Sequence, residues 1–342
     1  MTRPTIRDVA IEANVSISTV NRVLAGAKSV KDETILKVRE AASRIGYYGM
    51  GTINAQIASR RLKLRLGFVL HQPNRTFYQL LGAALAAAAK AVQDYDVEAD
   101  IVFAQDLSPQ FIAERVLALG ETCQAVGVVS AVHPVVTQAV TSLEQKGVPV
   151  FALISQLSAT GQVSYVGHDS WKVGRTSAWA FHNICKQPGK IGILVGNHRY
   201  RCQEMNESGF RSYFREYAPA FQLLEPITTF ETSAIAEEMT EKLIRDTPDL
   251  IGLFISGGGI SGAMNAIRNC NQSGKLVTVG YELMDNTRAA LLDGTVSLII
   301  SHPLQRLAQE AVTGMIRAAN GPNKTARQTV ILPFEIYTRE NI

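Results

Sequence analysis

The chain has 342 residues, of which 46% are hydrophobic and 19% are charged. These values are ordinary for a soluble globular protein, they exclude a disordered or fibrous class, and the length predicts two or three units with their own cores. The net charge of +4 is unevenly distributed: residues 1–65 hold 12 Lys or Arg and 5 Asp or Glu, whereas the remainder holds 22 and 25. The resulting balances of +7 and −3 predict a small polyanion-binding head on a neutral-to-acidic body, a solvated basic face being the alternative.

Three further features of the sequence indicate the cellular compartment and the kinds of ligand to expect. The four cysteines form no C-x-x-C pair and the six histidines show no zinc-site spacing, so we expect inert thiols in a reducing compartment and neither metal nor cofactor. The first ten residues, MTRPTIRDVA, carry charges where a signal peptide is apolar. The weakly polar run Leu80–Ala89 has about half the ~20 residues of a membrane span. We therefore expect a cytoplasmic protein without a membrane partner.

The first 45 residues predict three short helices. Ile6–Ala13 has apolar residues at helical spacing, Asn14 suits a tight turn, and Ser16 can cap a second helix over Ile17–Leu24. A third helix is predicted over Asp32–Ile45, with Asp32 as its cap. A tight turn between the first two helices makes a helix-turn-helix, whose second helix can lie in the major groove of DNA.

Residues that face outward from this predicted unit are candidates for DNA contact. Short or polar side chains at the start of the second helix suit base edges, and Arg22 can bond a guanine or a phosphate. Threonines and a tyrosine elsewhere can fix the register on phosphates. The predicted contacts are Thr5, Ser16, Ile17, Ser18, Thr19, Asn21, Arg22, Thr34 and Tyr47.

The stretch TIRDVAIEANVSISTVNRVL, followed by a third helix and Gly46-Tyr47, resembles the DNA-binding head of the LacI/GalR family of bacterial repressors. The family pattern is T-I-x-D-V-A-x-x-A-x-V-S-x-x-T-V-S-R-x-L, and this sequence has Asn21 where Ser is common. The resemblance implies a linker that forms a hinge helix on the operator and wedges a leucine into the minor groove. Here Gly49-Met50 replaces Pro-Asn, and Ala55 and Ile57 are the implied groove contacts, with Ile57 in the place of the leucine.

After Leu64, strand-like runs alternate with helix-like runs, which predicts parallel sheets covered on both faces. Two such sets predict two lobes, and they resemble the type I periplasmic sugar-binding-protein fold of LacI-type repressors. The fold class is thus an all-α helix-turn-helix domain plus an α/β two-lobed domain. The expected boundaries are 1–47 for the head, 48–63 for the hinge linker and 64–342 for the effector domain, with lobe 1 about 64–163 and 296–323 and lobe 2 about 164–295 and 324–342.

The segment SGGGISG, residues 256–262, has the G-x-G-x-x-G spacing of a dinucleotide-binding turn, and Glu282 follows twenty residues past Gly262. That motif belongs in the first strand-turn-helix of a sheet, whereas here only about 80 residues follow it. We interpret the glycines as a loop that lets the backbone approach a ligand, with Glu282 accepting hydrogen bonds from hydroxyls.

By analogy with the family, an effector binds between the lobes at the carboxyl ends of the strands. Two arginines in the set favour an acidic or phosphorylated sugar and Glu204 favours a neutral polyol, so both remain open. The predicted effector contacts are His71, Phe77, Ser155, Asn197, Arg199, Arg201, Glu204, Gly257, Gly258, Glu282 and His302.

The sequence thus predicts a homodimeric transcriptional repressor that binds a palindromic operator in double-stranded DNA under the control of a carbohydrate effector. The chain ends without an apolar heptad tail, so no coiled-coil tetramer is expected. Two alternatives remain: a sugar-sensing binding protein without DNA regulation, and an NAD-dependent oxidoreductase that uses the glycine turn.

Overall fold

The chain folds into two compact units, one comprising Met1–Leu64 with Val92–Val97 and the other Arg65–Ala91 with Glu98–Ile342. The computed structural model describes residues 3–27, 29–159, 161–321 and 327–342. Within these ranges, no helix has the length and apolar character needed to cross a membrane.

The first unit is helical, and the ends of its helices follow local capping. Its helices are α1 (Ile6–Glu12), α2 (Ile17–Leu24), α3 (Asp32–Arg44) and α4 (Met50–Arg60). The Ser16 hydroxyl accepts the Thr19 N–H at 3.1 Å and so caps α2, while Asn14 takes the positive φ of 52° in the turn before it. Asp32, predicted as the cap of the third helix, is its first helical residue, because the extended cap conformation lies at Lys31.

One apolar core holds the four described helices of this unit together. Val9, Val20, Val38 and Ile53, which come from α1, α2, α3 and α4 respectively, are all fully buried in it. Since α1 and α2 pack directly across their turn, the predicted helix-turn-helix is present.

The second unit begins with an α/β layer built on a sheet in the order β14-β7-β4-β3-β1-β2. Strands β1, β3, β4, β7 and β14 run parallel, which requires the helical crossovers that the alternating sequence pattern predicts. The strands are β1 (Leu62–Leu70), β2 (Tyr95–Phe103), β3 (Ala125–Val128), β4 (Val150–Leu153), β7 (Ser164–His168) and β14 (Thr329–Leu332). Helices of this lobe are α5 (Thr76–Ala91), α6 (Pro109–Thr122), α7 (Pro134–Gln145) and α13 (Leu304–Asn320), and a short ribbon pairs β5 (Ser158–Ala159) with β6 (Gly161–Gln162).

A second sheet, in the order β10-β8-β11-β12-β13-β15 with β9 beside β8, forms the other lobe. Its pairings are parallel except for the antiparallel pair β13–β15. The strands are β8 (Lys190–Val195), β9 (Gln222–Leu223), β10 (Ile227–Thr228), β11 (Leu250–Ile255), β12 (Val277–Tyr281), β13 (Leu298–Ser301) and β15 (Glu335–Tyr337). The helices are α8 (Ser170–Ile184), α9 (Arg201–Tyr217), α10 (Ser233–Asp246), α11 (Ile260–Asn269) and α12 (Asp285–Leu292).

The two-lobed α/β body is therefore as predicted, but three strands lie in the lobe opposite to the expected one. β7 and β14 belong to the first sheet, although residues 164–295 and 324–342 were assigned to lobe 2, and β13 belongs to the second sheet, although residues 296–323 were assigned to lobe 1. An apolar run predicts that a strand exists, whereas its sheet is decided by long-range pairing, here Val166 with Leu153 and Ile299 with Gly280. The boundary predicted at residues 323–324 lies outside the described residues.

Candidate nucleic-acid interface and ligand cleft

Helix α2 presents an exposed polar surface at its start. Ser18, Asn21 and Arg22 are exposed, and Ile17 is 47% exposed. Val20, on the opposite side of the helix, is fully buried. The Arg22 guanidinium bonds the Ser29 hydroxyl at 2.5 Å. These positions are the ones that the sequence predicts, since a helix with an apolar inner stripe leaves the other face to solvent.

Three of the other predicted DNA contacts have their polar groups engaged inside this unit. The Thr5 hydroxyl and the Asp8 carboxylate form a reciprocal capping box at α1, with the Thr5 N–H 2.7 Å from Asp8 Oδ2. The Ser16 hydroxyl lies 2.8 Å from the Thr19 hydroxyl. These two caps fix the first turns of α1 and α2. Thr34, another predicted contact, is half-buried on α3.

Tyr47 is a core residue, so its prediction as an outward phosphate contact needs correction. Its side chain is 4% exposed and packs in the apolar core, because it follows directly on the left-handed turn at Gly46 (φ 67°). The exposed aromatic ring is that of Tyr48, which is 67% exposed and lies under the Arg3 guanidinium at 5.4 Å. Tyr48 was not among the contacts predicted from the sequence.

The predicted hinge segment forms helix α4 and packs on the other helices of its unit. Ile53 is fully buried, and Ile57 is half-buried against the same core, which differs from the predicted role of Ile57 as a free groove wedge. The Arg60 guanidinium donates to the carbonyl oxygens of Ala27 and Val30, at 2.5 and 2.7 Å. Ala55 is exposed, as predicted.

The glycines do not prevent this helix, because Gly49 stands just before its first residue and Gly51 lies in its first turn. The carbonyl oxygen of Gly49 accepts the N–H groups of Thr52 and Ile53, at 3.1 and 3.3 Å, and so starts the helical pattern. Position 49 is therefore a helix entry, where glycine costs little, rather than a helix interior.

A cavity of about 560 Å³ lies between the lobes, at the carboxyl ends of strands from both sheets. Its size is within the usual range of small-molecule sites, and its position follows the rule for open α/β sheets. Of the predicted effector contacts, the ones that line it are His71, Phe77, Ser155, Gly257, Gly258, Glu282 and His302.

Four predicted effector contacts do not line the cavity. Arg201 and Glu204 pair with each other at 3.3 Å on the first turn of α9, each with about half of its side chain exposed. The Asn197 side-chain oxygen accepts the Arg199 N–H at 3.0 Å within its own turn. The predictions for these four residues need correction, because α9 starts at Arg201 and turns its outer face, with that ion pair, to solvent.

Several lining residues escaped the sequence analysis. They come from the loops that precede α5 and α9, from α9 itself, and from the ends of β7 and the two-residue β10. The most polar of them are Arg75, His168, Tyr200, Gln203, Asn206 and Glu231.

Glu282 and two histidines form a polar array where β12, β13 and β7 end. Glu282 Oε1 lies 2.6 Å from His302 Nδ1, and Glu282 Oε2 accepts the His302 N–H and the Ser301 hydroxyl, both at 3.1 Å. The ring of His302 stacks on His168, with centroids 3.7 Å apart and planes 7° from parallel. Burial, and then the neighbouring His302, lowers the pKa of His168 to about 2, so this imidazole is neutral.

The backbone of Glu282 is held in a left-handed conformation, with φ 69°. This conformation is uncommon for a residue with a side chain and turns the carboxylate back toward β13. Three donors, the Ser301 hydroxyl and the backbone N–H and Nδ1 of His302, hold the Glu282 carboxylate in place. Nε2 of His302 and Nε2 of His168 are buried and have no hydrogen-bond partner among the described residues. Glu282 therefore orients His302, and the rings of His302 and His168 line the cavity.

Polar contacts join the lobes across the cavity. Arg75, from the loop after β1, lies 3.2 Å from Glu231 Oε2, and Glu231 Oε1 accepts the Gln203 side-chain N–H at 2.6 Å. The Tyr200 hydroxyl lies 3.0 Å from His71 Nε2. Burial, and then Arg75, lowers the pKa of His71 to about 3, so His71 is neutral as well.

The glycine turn is explained by packing. A Cβ atom at Gly258 would lie against the Glu231 carboxylate, one at Gly257 against the Gln203 side chain, and one at Gly262 against the Ser233 carbonyl oxygen of α10. Gly259 has φ 98°, a conformation that favours glycine. Each glycine thus has a structural reason within this lobe that does not involve a dinucleotide.

A two-lobed α/β body with a cavity between its lobes, together with a helix-turn-helix unit, defines a ligand-binding regulator of the periplasmic-binding-protein class. A family model described as periplasmic binding protein domain matches residues 66–323, and one described as bacterial regulatory proteins, lacI family, matches residues 5–49. The chain belongs to the lacI family of bacterial regulatory proteins and is a DNA-binding transcriptional regulator.

Similar proteins agree with this assignment. The chain is 23% identical to the HTH-type transcriptional regulator DegA of Bacillus subtilis, over 99% of this chain and 98% of that protein. It is 26% identical to the sucrose operon repressor of Streptococcus mutans, over 81% and 80%. Among solved structures, GanP, a glucose-galactose binding protein from Geobacillus stearothermophilus, superposes with a TM-score of 0.74 at 15% identity, over 82% of this chain and 99% of that one. This last likeness shows the fold.

Proposed function

We propose that the protein is a homodimeric transcriptional repressor that binds a palindromic operator and responds to a carbohydrate effector bound between its lobes. The observation that carries the proposal is the pairing, in one chain, of the exposed polar start of α2 with a 560 Å³ cavity lined by hydroxyl, amide and imidazole groups. A regulator needs both a surface that reads DNA and a site whose occupancy changes that surface's affinity.

In the DNA complex, α2 lies in the major groove. Ser16, Ile17, Ser18, Asn21 and Arg22 face the base edges, and Thr5, Thr19, Thr34 and Ala55 approach the backbone or the adjacent groove. Two heads related by a twofold axis read two half-sites, so the protein acts as a dimer and resides in the cytoplasm with its operator.

In the effector complex, a sugar lies in the cavity. His71, Ser155 and His302 bond its hydroxyl groups, and Phe77 covers an apolar ring face. The backbone at Gly257 and Gly258 approaches the ligand. The relatives whose names mention sugars support this choice, since they include a sucrose operon repressor and a glucose-galactose binding protein.

Effector binding changes the balance between open and closed lobes and thereby operator affinity, by a coupling free energy of about 1–3 kcal/mol. We propose no enzymatic reaction, because the glycine turn, the one dinucleotide motif of the sequence, is occupied by packing with Glu231, Gln203 and α10.

The test is fluorescence anisotropy of the full chain on DNA from upstream of its own gene and neighbouring genes, with scrambled duplexes of equal length as controls. We expect binding to one palindrome that survives moderate salt, and a shift in affinity when a sugar is added. Equal, steeply salt-dependent binding to every duplex would contradict sequence-specific regulation and favour the sugar-sensing alternative.

A further inference from the structure

The charges that line the cavity are few and paired. Among the described lining residues, Arg75 is the one Lys or Arg, and Glu231 and Glu282 are the carboxylates. Arg199 and Arg201, the arginines that suggest an acidic ligand in the sequence, lie outside the cavity. The charge available to a ligand is therefore set by Arg75 and these two carboxylates.

Arg75 is matched by Glu231. The two side chains are 3.2 Å apart and mostly buried, 22% and 9% exposed, and Arg75 Nε also donates to the Gln72 side-chain oxygen at 3.1 Å. An anionic ligand could use this guanidinium only by displacing Glu231 or by lying beside a buried carboxylate. Either arrangement is unfavourable, because like charges repel strongly in a site of low dielectric.

The other wall is acidic at Glu282 and carries imidazole acceptors. The Glu282 carboxylate accepts hydrogen bonds from Ser301 and His302, and His302 Nδ1 lies 2.6 Å from it, so a proton on this nitrogen leaves Nε2 as an acceptor. Buried Nε2 atoms of His168 and His302 and the Ser256 hydroxyl have no partner among the described residues. The rings of His168 and His302 line the cavity, and an imidazole acceptor there can bond a sugar hydroxyl group, whereas ionised phosphate and carboxylate oxygens have no hydrogen to donate to it.

We infer that the cavity selects an uncharged polyhydroxylated ligand over its phosphorylated and carboxylated derivatives, with the Arg75–Glu231 pair as the charge filter. This inference rests on the proposed carbohydrate function and narrows it to neutral sugars and polyols. The filter spans the two lobes, since Arg75 follows β1 of the first and Glu231 follows β10 of the second. Lobe closure and charge selection therefore involve the same contact.

The experiment is isothermal titration calorimetry of the full chain with matched sets of ligands. Each set contains a neutral sugar, namely D-glucose, D-galactose, D-xylose or D-arabinose, with its phosphate ester and, for the hexoses, its uronic acid. We expect at least one neutral sugar to bind and its charged derivatives to bind at least about tenfold more weakly. A charged member that binds as tightly as its parent would overturn the inference and leave the carbohydrate function standing. Failure of every member to bind would overturn both.

A charge-neutralising variant tests the filter itself. In Glu231→Gln the isosteric amide keeps a hydrogen-bond acceptor for Arg75 but frees its positive charge, so the ratio of phosphate-ester to parent affinity should rise about tenfold or more. Glu204→Gln is the matched control, since it removes a half-exposed carboxylate outside the cavity and should leave the ratio unchanged. Melting temperatures verify that both variants fold. An equal ratio in wild type and both variants would remove the Arg75–Glu231 pair from ligand selection.

Discussion

His302 and Glu282 form a short contact at the edge of the cavity, with 2.6 Å between Nδ1 of the imidazole and Oε1 of the carboxylate. The same carboxylate accepts the backbone N–H of His302 and the hydroxyl of Ser301. The Glu282 side chain therefore holds the residues that connect β13 to α13. Its removal should therefore affect stability as well as ligand binding.

For Glu282→Ala we expect the free energy of unfolding to fall by about 2–3 kcal/mol, because buried donors lose their charged acceptor. Urea denaturation measures the change. Glu204→Ala removes a carboxylate with one surface partner and should change stability by less than about 0.5 kcal/mol. Equal losses in the two variants would show that the array at Glu282 contributes little.

Glu282→Ala should also abolish the effector response while it leaves operator binding intact; an unchanged response would remove this residue from the site.

Acid should destabilise the body through its neutral histidines. The pKa of His168 falls from 6.5 to about 2 on folding, so the unfolded chain binds an extra proton at this residue throughout the window between these values. Well above pH 6.5 His168 is neutral in both states and has no effect; as the pH falls below 6.5, protonation of the unfolded chain lowers the free energy of unfolding, at a limiting slope of about 1.4 kcal/mol per pH unit. Between pH 7 and pH 5 the loss is about 2 kcal/mol for this residue.

His168→Gln isolates that contribution, because glutamine does not titrate. We expect the fall in unfolding free energy between pH 7 and pH 5 to be about 2 kcal/mol smaller in the variant than in the wild type. His182→Gln is the control, since His182 is exposed and bonded to the Tyr213 hydroxyl at 3.1 Å. Parallel pH profiles for wild type and His168→Gln would contradict the neutral, buried state of His168.

Helix α4 should be a stable part of the N-terminal unit. Ile53→Ala removes a fully buried side chain and should lower the unfolding free energy of this unit by about 2–4 kcal/mol. Ile11→Ala, at a residue that is 71% exposed in the same unit, should change it by less than about 0.5 kcal/mol. Hydrogen exchange of the free protein gives a second measurement: protected amides are expected over residues 53–60, and exchange at the rate of an unstructured chain would show that α4 forms only on DNA.

The sequence predicted those parts of the molecule that depend on neighbouring residues. Helix α2 has the predicted bounds, Ile17–Leu24, because Ser16 caps it and its apolar stripe is complete. Lobe membership of β7 and β13 was wrong, because strand pairing depends on residues far away in the sequence.

The candidate site follows the same division. His71, Glu282 and His302 end predictable strands and were found. Glu231 was missed because β10, which precedes it, is only two residues long and gives no recognisable pattern of alternation. Arg199 and Arg201 were misplaced because a sequence does not show which side of the loop before α9, or of the first turn of α9, faces the cavity.

Arg22 should read a base rather than only a phosphate. Its exposed guanidinium lies on α2 with the side chains of Ser18 and Asn21, and a guanidinium can bond both acceptors of a guanine edge. Arg22→Ala should therefore weaken operator binding by about 1–3 kcal/mol and relax the preference at one base pair of each half-site. Anisotropy titrations on the operator, on single-base variants of it and on random DNA measure both effects. Arg44→Ala is the control, since Arg44 ends α3, outside the α2 surface, and pairs with Glu12 at 2.8 Å. Equal losses on operator and random DNA would assign Arg22 to the phosphate backbone, because a phosphate contact strengthens binding to every sequence alike.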